Sequence, residues 1–443
     1  MGKGEKKNRK KIIDEYSKHV SSGKVAFYKK YGIDFIMGKR HGPYLEDIGG
    51  KKEVINLHCN GGVFNLGHRN SEIIKLLSES LNELDIGNHH LLSPERAKTA
   101  SLIAELMPGD LTYTVFGAGG GEAVDLAIKT ARAYTGKTKI ISCLGGFHGH
   151  TGYALSAGDY KYRTPFGLRL PGFVQVPFND LISLEKAIDD DTAALILETI
   201  PATLGIVIPS GEYMQGVEKL CRTHEVLLIM DEIQTGLGRT GKLWAFEHFG
   251  IEPDIVILGK GLSGGIYPIS ATVMTKRIES VFHKDPFIHI STFGGSELGC
   301  RVAAKVLEIS AESSFLAHVN KLAGMFKDKV EELMGKHKDF LVNLRQLGLM
   351  MGLEFKEEMD GLLITKTSFD KGLLMVYANN DKRIVQFLPP LNIKEEVVDE
   401  IIDRLDKSLT AARRLKPAFK LIYRTKSMFE KRKKDSLADV FYR

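Results

Sequence analysis

An α/β chain built on a large, mostly parallel sheet is what this sequence predicts, on three observations. Between about residues 110 and 300, short apolar runs alternate with helical patterns. Several of those runs end in charged residues or glycine clusters. After residue 300 the texture changes to long helices and a second group of strands.

The runs "KTKIISCLGG", "GFVQVPF", "TAALILET", "VLLIMDE", "DIVILGK" and "ISATVMT" read as strands, being short, rich in β-branched residues and bounded by turn formers. "GEAVDLAIKTARAY", "LISLEKAID" and "EYMQGVEKLCRTH" between them read as amphipathic helices. Strand–helix alternation places helices on both faces of the sheet, and ligands of such sheets bind at the carboxyl ends of the strands. Further on, "CRVAAKVLEISAE" and "VNKLAGMFKDKVEELMGKH" predict long helices, and "LVNLRQLGLMMGLEF" and "RIVQFLPPLNI" predict strands. "KEEVVDEIIDRLDKSLTAARRL" closes with a helix. The expected division is an N-terminal segment, 1–60, packing with a small α+β domain at 326–443, and a large domain at 61–325.

The 443 residues are 43% hydrophobic and 26% charged, a composition that supports a core without staples. Cys59, Cys143, Cys221 and Cys300 are far apart and form no CxxC pair, so reduced thiols are expected and a metal site is not. No secretory apolar core follows the basic start, and the most apolar stretch is interrupted by Glu198 and two prolines. A cytoplasmic protein without a membrane span is the expectation. Much of the +6 net charge sits at the two ends, which read as solvated tails. An acyl-CoA substrate is the second reading of those tails. Nucleic acid is set aside for want of any motif-bearing basic module.

Three strand ends carry chemistry. "VLLIMDEIQTGLGRTG" delivers Asp231, Glu232 and Gln234, and "DIVILGKGLSGG" delivers Lys260 among glycines. "TVFGAGGGEAVDLAIKTAR" runs from a strand through Gly119, Gly120 and Gly121 into a helix, where free backbone N–H groups favour a phosphate. Each feature alone has an ordinary structural explanation. Together they supply an amine, a carboxylate for a pyridinium proton and an anion hole, the needs of pyridoxal phosphate.

With these blocks in place the chain resembles the class III (subgroup II) aminotransferases of PLP fold type I. The likeness runs from "YLEDIGGKKEVINLHCNGGVFNLGH" to "FLPPLNI", and "MDEIQTGLGRTGKLWAFEHFGIEPDIVILGKGLSGG" is its most specific part. The resemblance implies that Lys260 is the Schiff-base lysine, that Asp231 pairs with the pyridine nitrogen and that Gln234 lies near the phenolic oxygen. It further implies Phe147 stacked on the ring with His148 nearby, Glu198 at the cofactor, and Gly120 and Gly121 at the phosphate. Thr292 would reach the phosphate of a neighbouring subunit, which implies a homodimer or larger homo-oligomer. Lys260 is expected to be deprotonated by its apolar strand end and by nearby positive charge.

Two positions depart from the pattern. Where many relatives carry an Arg just before the "PP" strand, this chain has Gln386, and the Glu that holds that Arg is replaced by Thr203. Loss of both members suits a coupled charge pair, since either alone would be a buried unpaired charge. Arg163, Arg169 and Arg383 are the alternative cations. The expected activity is transfer of an amino group from an ω-amine, a β-amino acid or a β-aminoacyl thioester to a 2-oxo acid. The alternatives are a racemase or epimerase of the same fold and a cofactor-binding regulator without turnover.

Overall fold

The computed structural model describes residues 3–87, 91–167 and 170–441, with side chains described from residue 6 to residue 420. Seven strands form the large sheet: β1 (Leu111–Gly117), β2 (Lys139–Cys143), β3 (Phe173–Val176), β4 (Thr192–Glu198), β5 (Leu227–Asp231), β6 (Ile255–Leu258) and β7 (Ser270–Thr275). Their order across the sheet is β1-β7-β6-β5-β4-β2-β3. The pairs β2–β3, β2–β4, β4–β5 and β5–β6 are parallel. β7 runs antiparallel to both β6 and β1. A parallel return needs a crossover of about a dozen residues or more, usually a helix. The eleven residues 259–269 that separate β6 from β7 hold only the short helical turn Lys260–Ser263 and no crossover helix, so the chain doubles back.

Both faces of the sheet are buried, which explains why its central strands are apolar throughout rather than alternating. Leu195, Leu197, Leu228, Met230, Val256 and Leu258 point to one face, against Met214, Val217, Trp244 and Val302. Their neighbours Ala194, Ile196, Leu227, Ile229, Ile255 and Ile257 point to the other, against Ala123, Val124, Ala127 and Ile128 of helix Gly120–Thr135. Small residues on that helix face let it lie close to the sheet, and left-handed Gly136 (φ +71°) ends it.

A second core lies under the four-stranded sheet of Leu341–Leu347, Met350–Phe355, Ile384–Phe387 and Val376–Tyr377. There Phe326, Phe355 and Phe387 pack with Ile401, Leu405 and Leu409, so helices Ser313–Lys336 and Glu395–Phe441 both close on it. The N-terminal strands Met37–His41, Tyr44–Asp47 and Glu53–Asn56 make a third sheet, which Leu373–Leu374 joins in parallel. Ile55 and Leu57 drop from it into the second core. The four cysteines are free and buried. Among the described residues no helix is long and apolar enough to cross a membrane.

Candidate active site

Parallel strands bring their carboxyl ends to one edge, and in this sheet neighbouring ends carry the polar residues. Glu198 ends β4 and Asp231 ends β5, and the two are register partners. Asp231 also pairs with Ile257, just before Lys260 on the adjacent strand. The loop after β2 holds Phe147 and His148, and the start of helix Gly120–Thr135 completes the ring. Gly120, Gly121, Phe147, His148, Gly149, Glu198, Ile200, Asp231, Ile233, Gln234, Thr235 and Lys260 surround a cavity of about 200 Å³.

Its hydrogen bonds are specific. His148 Nδ1 donates to Asp231 Oδ2 at 2.8 Å, and the Ile233 N–H donates to Asp231 Oδ1 at 3.1 Å. The Phe147 N–H donates to Glu198 Oε1 at 2.8 Å. Lys260 Nζ donates to Gln234 Oε1 at 2.9 Å, while Gln234 Nε2 is buried without a partner. Glu232, by contrast, turns away from the cavity. Its carboxylate accepts from Thr199, Thr235 and the N–H groups of Ala245 and Phe246, and so anchors the loop that follows β5.

Burial governs the charges. It holds the Lys260 ammonium below the ordinary lysine range, against the opposing pull of Asp231 and Glu198. The expected cationic neighbours are absent from this balance: the nearby charges are carboxylates, and desolvation wins over them. Burial, helped by the charge of Asp231, pushes Glu198 up to about 7 although His148 opposes it. Burial also disfavours a charged His148, but the hydrogen bond and charge of Asp231 outweigh it and raise its pKa. Lys260 sits at φ +42°, a left-handed conformation that costs a non-glycine residue about 1–3 kcal/mol. Strain is stored at the residue that carries the amine.

A phosphorylated flat ring fits these donors. Gly119 caps helix Gly120–Thr135 without any side-chain hydrogen bond. A Cβ on Gly120 would lie 2.9 Å from Ile233 Cδ1, and one on Gly121 2.8 Å from Thr151 Oγ1. Glycine therefore keeps the helix entrance clear for an anion. The orphan Gln234 amide, the Asp231 carboxylate and the Lys260 amine border the same space.

Three residues singled out in the sequence lie outside this ring. Thr292 is exposed on a segment that also exposes Phe287, Ile288, Ile290 and Phe293. Thr203 donates to the Gly145 carbonyl at 3.0 Å, and its own carbonyl accepts from the Asn380 N–H. Gln386 is buried with Oε1 unpartnered. It shares a strand face with Ile384, which packs with Ile200, Ala202 and Ile206. Sequence reasoning missed Ile233, Ile200 and the turn Cys59–Gly62. Gly61 of that turn lies so close to Lys260 that a Cβ there would stand 3.3 Å from Nζ. The doubled glycine in "HCNGG" was the available signal.

A sequence profile of the family described as Aminotransferase class-III matches residues 28–409. An uncharacterized aminotransferase of Archaeoglobus fulgidus is 52% identical over 415 residues, 93% of this chain and 97% of that one. Among solved structures, the ornithine aminotransferase of Toxoplasma gondii is similar at a TM-score of 0.84 and 27% identity, covering 92% of this chain and 96% of its own. The acetylornithine aminotransferase of Elizabethkingia anophelis is similar at 0.75 and 29% identity, covering 87% and 98%.

Proposed function

This chain belongs to the class-III aminotransferases, which are PLP-dependent transaminases of fold type I, and we propose that its amino donor is an ω-amine, a β-amino acid or a β-aminoacyl thioester. The acceptor in this reading is a 2-oxo acid. Pyridoxal phosphate supplies an aldehyde that takes up amines and a ring that accepts electrons as a C–H bond breaks.

Each residue of the cavity has a part in this reading. Lys260 would anchor the cofactor through Nζ and, when free, would serve as the base and acid that moves a proton. Its lowered pKa favours the unprotonated amine that both tasks need. Asp231, held by His148 and the Ile233 N–H, would keep a proton on the ring nitrogen. The N–H groups at Gly120 and Gly121 would hold the phosphate, and Phe147 and the unpartnered Gln234 Nε2 would hold the ring. Glu198 braces the Phe147 loop through its backbone N–H. Thr292 serves a neighbouring subunit's phosphate, and the exposed apolar side chains around it support assembly as a homodimer.

The donor class rests on one observation: among the described residues no arginine lines the cavity. Arg383 is engaged by Asp381, and Arg163 donates to the Ser156 carbonyl. Arg169 lies outside the described residues. The neutral Gln386 cannot give a carboxylate the two-pronged, charge-assisted grip of an arginine. Burying a carboxylate without a matched cation costs several kcal/mol. Ornithine, the substrate in the name of the Toxoplasma relative, itself carries an amine remote from its carboxylate.

The test is a donor comparison on the wild-type enzyme with pyruvate and 2-oxoglutarate as acceptors. ω-Amines, β-amino acids or β-aminoacyl thioesters should exceed glutamate by more than about tenfold in kcat/KM, a difference of about 1.4 kcal/mol. The 2-oxo acid should be consumed mole for mole with donor. Glutamate as the best donor would overturn the reading of Gln386 and Thr203, and turnover without acceptor would indicate a racemase.

A further inference from the structure

Arg239 is a large charged side chain with no solvent exposure. Among the described residues it has no carboxylate partner. Its Nη1 donates to the carbonyls of Leu349 and Pro389 at 3.1 and 2.7 Å, and its Nη2 donates to Asn65 Oδ1 at 2.7 Å. The Leu349 N–H donates back to the Arg239 carbonyl at 2.9 Å. Burial lowers the guanidinium to about 10, with the Cys59 thiol opposing, which still leaves it charged at neutral pH. Enclosing an ion without a counter-ion is costly, so its hydrogen bonds must hold it there.

Those bonds join three parts of the molecule. Leu349 is in the hairpin turn between Leu341–Leu347 and Met350–Phe355, and Pro389 follows strand Ile384–Phe387. Cys59 opens the turn whose Gly61 lies beside Lys260, and Asn65 follows it. Asn65 also stands beside the residue after Lys260, since a Cβ on Gly261 would meet Asn65 Nδ2 at 3.1 Å. Arg239 itself belongs to the loop that begins at Asp231 and carries Gln234. The two terminal nitrogens of one fork therefore tie the C-terminal sheet, the N-terminal turn and the reactive loop together, a geometry that suits a planar group better than an ammonium, while Nε has no partner among the described residues.

We infer that Arg239 is a positioning residue which, through Asn65 and the Cys59–Gly62 turn, closes one side of the Lys260 amine to water and couples that shielding to the C-terminal sheet. The inference rests on Lys260 being the reacting amine. Loosening the clamp should let water reach Nζ, relieve its desolvation and make it more basic.

The experiment is a pH titration of the bound cofactor's absorbance in full-length holoenzyme, for wild type, Arg239→Lys, Asn65→Ala and Lys260→Ala, with thermal melting alongside. Arg239→Lys and Asn65→Ala should raise the midpoint by about half a pH unit or more, with kcat falling more than KM changes. Asn65→Ala leaves both carbonyl contacts of the fork in place and decides the matter if Arg239→Lys does not fold. Midpoints unchanged in the folded variants, with only the melting temperature lowered, would make Arg239 structural alone and overturn the inference. A Lys260→Ala protein that titrates like wild type would instead sink the assignment of the amine.

Discussion

The two edges of the large sheet differ in how they treat charge. At the carboxyl edge a cavity of about 200 Å³ gathers Lys260, His148, Asp231 and Glu198, with Asp231 only 5% exposed. At the amino edge lies a wider cleft of about 720 Å³, lined by Arg222, Arg277, Glu218, Glu252 and Asp254. There Arg222 pairs with Glu218 at 2.7 Å and Arg277 pairs with Asp254, each arginine being more than half exposed. None of the charged residues lining the larger space is buried, so water screens them. The smaller one removes water from groups that lack full compensation, and that is where pKa values are moved to useful places. Desolvation, rather than volume, marks the active edge.

Substitution should expose this difference most sharply at Lys260. If Lys260 has the proposed role, Lys260→Ala removes anchor and proton carrier together, and kcat should fall by about a thousandfold or more, over 4 kcal/mol of barrier. In the same proposal Asp231→Ala should cost at least about tenfold, because the ring proton would lose its partner. Arg222→Ala at the other edge should leave kcat within about twofold, as expected for an exposed ion pair far from the chemistry. Steady-state kinetics on the three variants measures the contrast, and near-normal turnover in Lys260→Ala would erase it.

Much of this contrast could be read before any coordinates. The strands of the large sheet announced themselves because burial on both faces demands unbroken apolar runs, as in "IVIL" and "LLIM". The loads at their ends then fell at one edge by topology alone. What stayed hidden was set by side-chain direction and by contacts distant in sequence. Adjacent Asp231 and Glu232 look equivalent in the sequence, yet period-2 alternation sends one into the cavity and the other into a loop anchor. Gly61 meets Lys260 across almost 200 residues, and no local pattern reports such a meeting. The antiparallel course of β7 follows an eleven-residue connection from β6 that forms no crossover helix.

Glu198 gives a subtler measure of the same edge. Its folded pKa of about 7 lies above the ordinary carboxylate value, so the folded state holds a proton that the unfolded chain gives up. This contribution to stability is full below about pH 4.5 and is lost as pH rises towards 7. Glu198→Gln cannot titrate. With cofactor removed, its melting temperature relative to wild type should therefore improve steadily between about pH 5 and 7.5. A difference that is flat across that range would mean Glu198 is ionised in the fold at all these values.

The smallest effect belongs to the amino edge. Arg277 reaches Asp254 with its side chain 56% exposed, and it lies over the Tyr134 ring at 5.8 Å. In solvent such a pair gains little from Coulomb attraction, because both partners give up hydration and the arginine gives up rotamer freedom. Asp254 also accepts from the Leu228 N–H, so it is not stranded when the arginine leaves. Arg277→Ala should accordingly lower stability by no more than about 1 kcal/mol, part of it lost packing on Tyr134. Urea unfolding at low and high salt separates the two parts, since only the ionic part shrinks within a Debye length of about 3 Å at 1 M salt. A loss above about 2 kcal/mol, insensitive to salt, would show that this edge hides a desolvated charge after all, and the distinction between the two edges would fail.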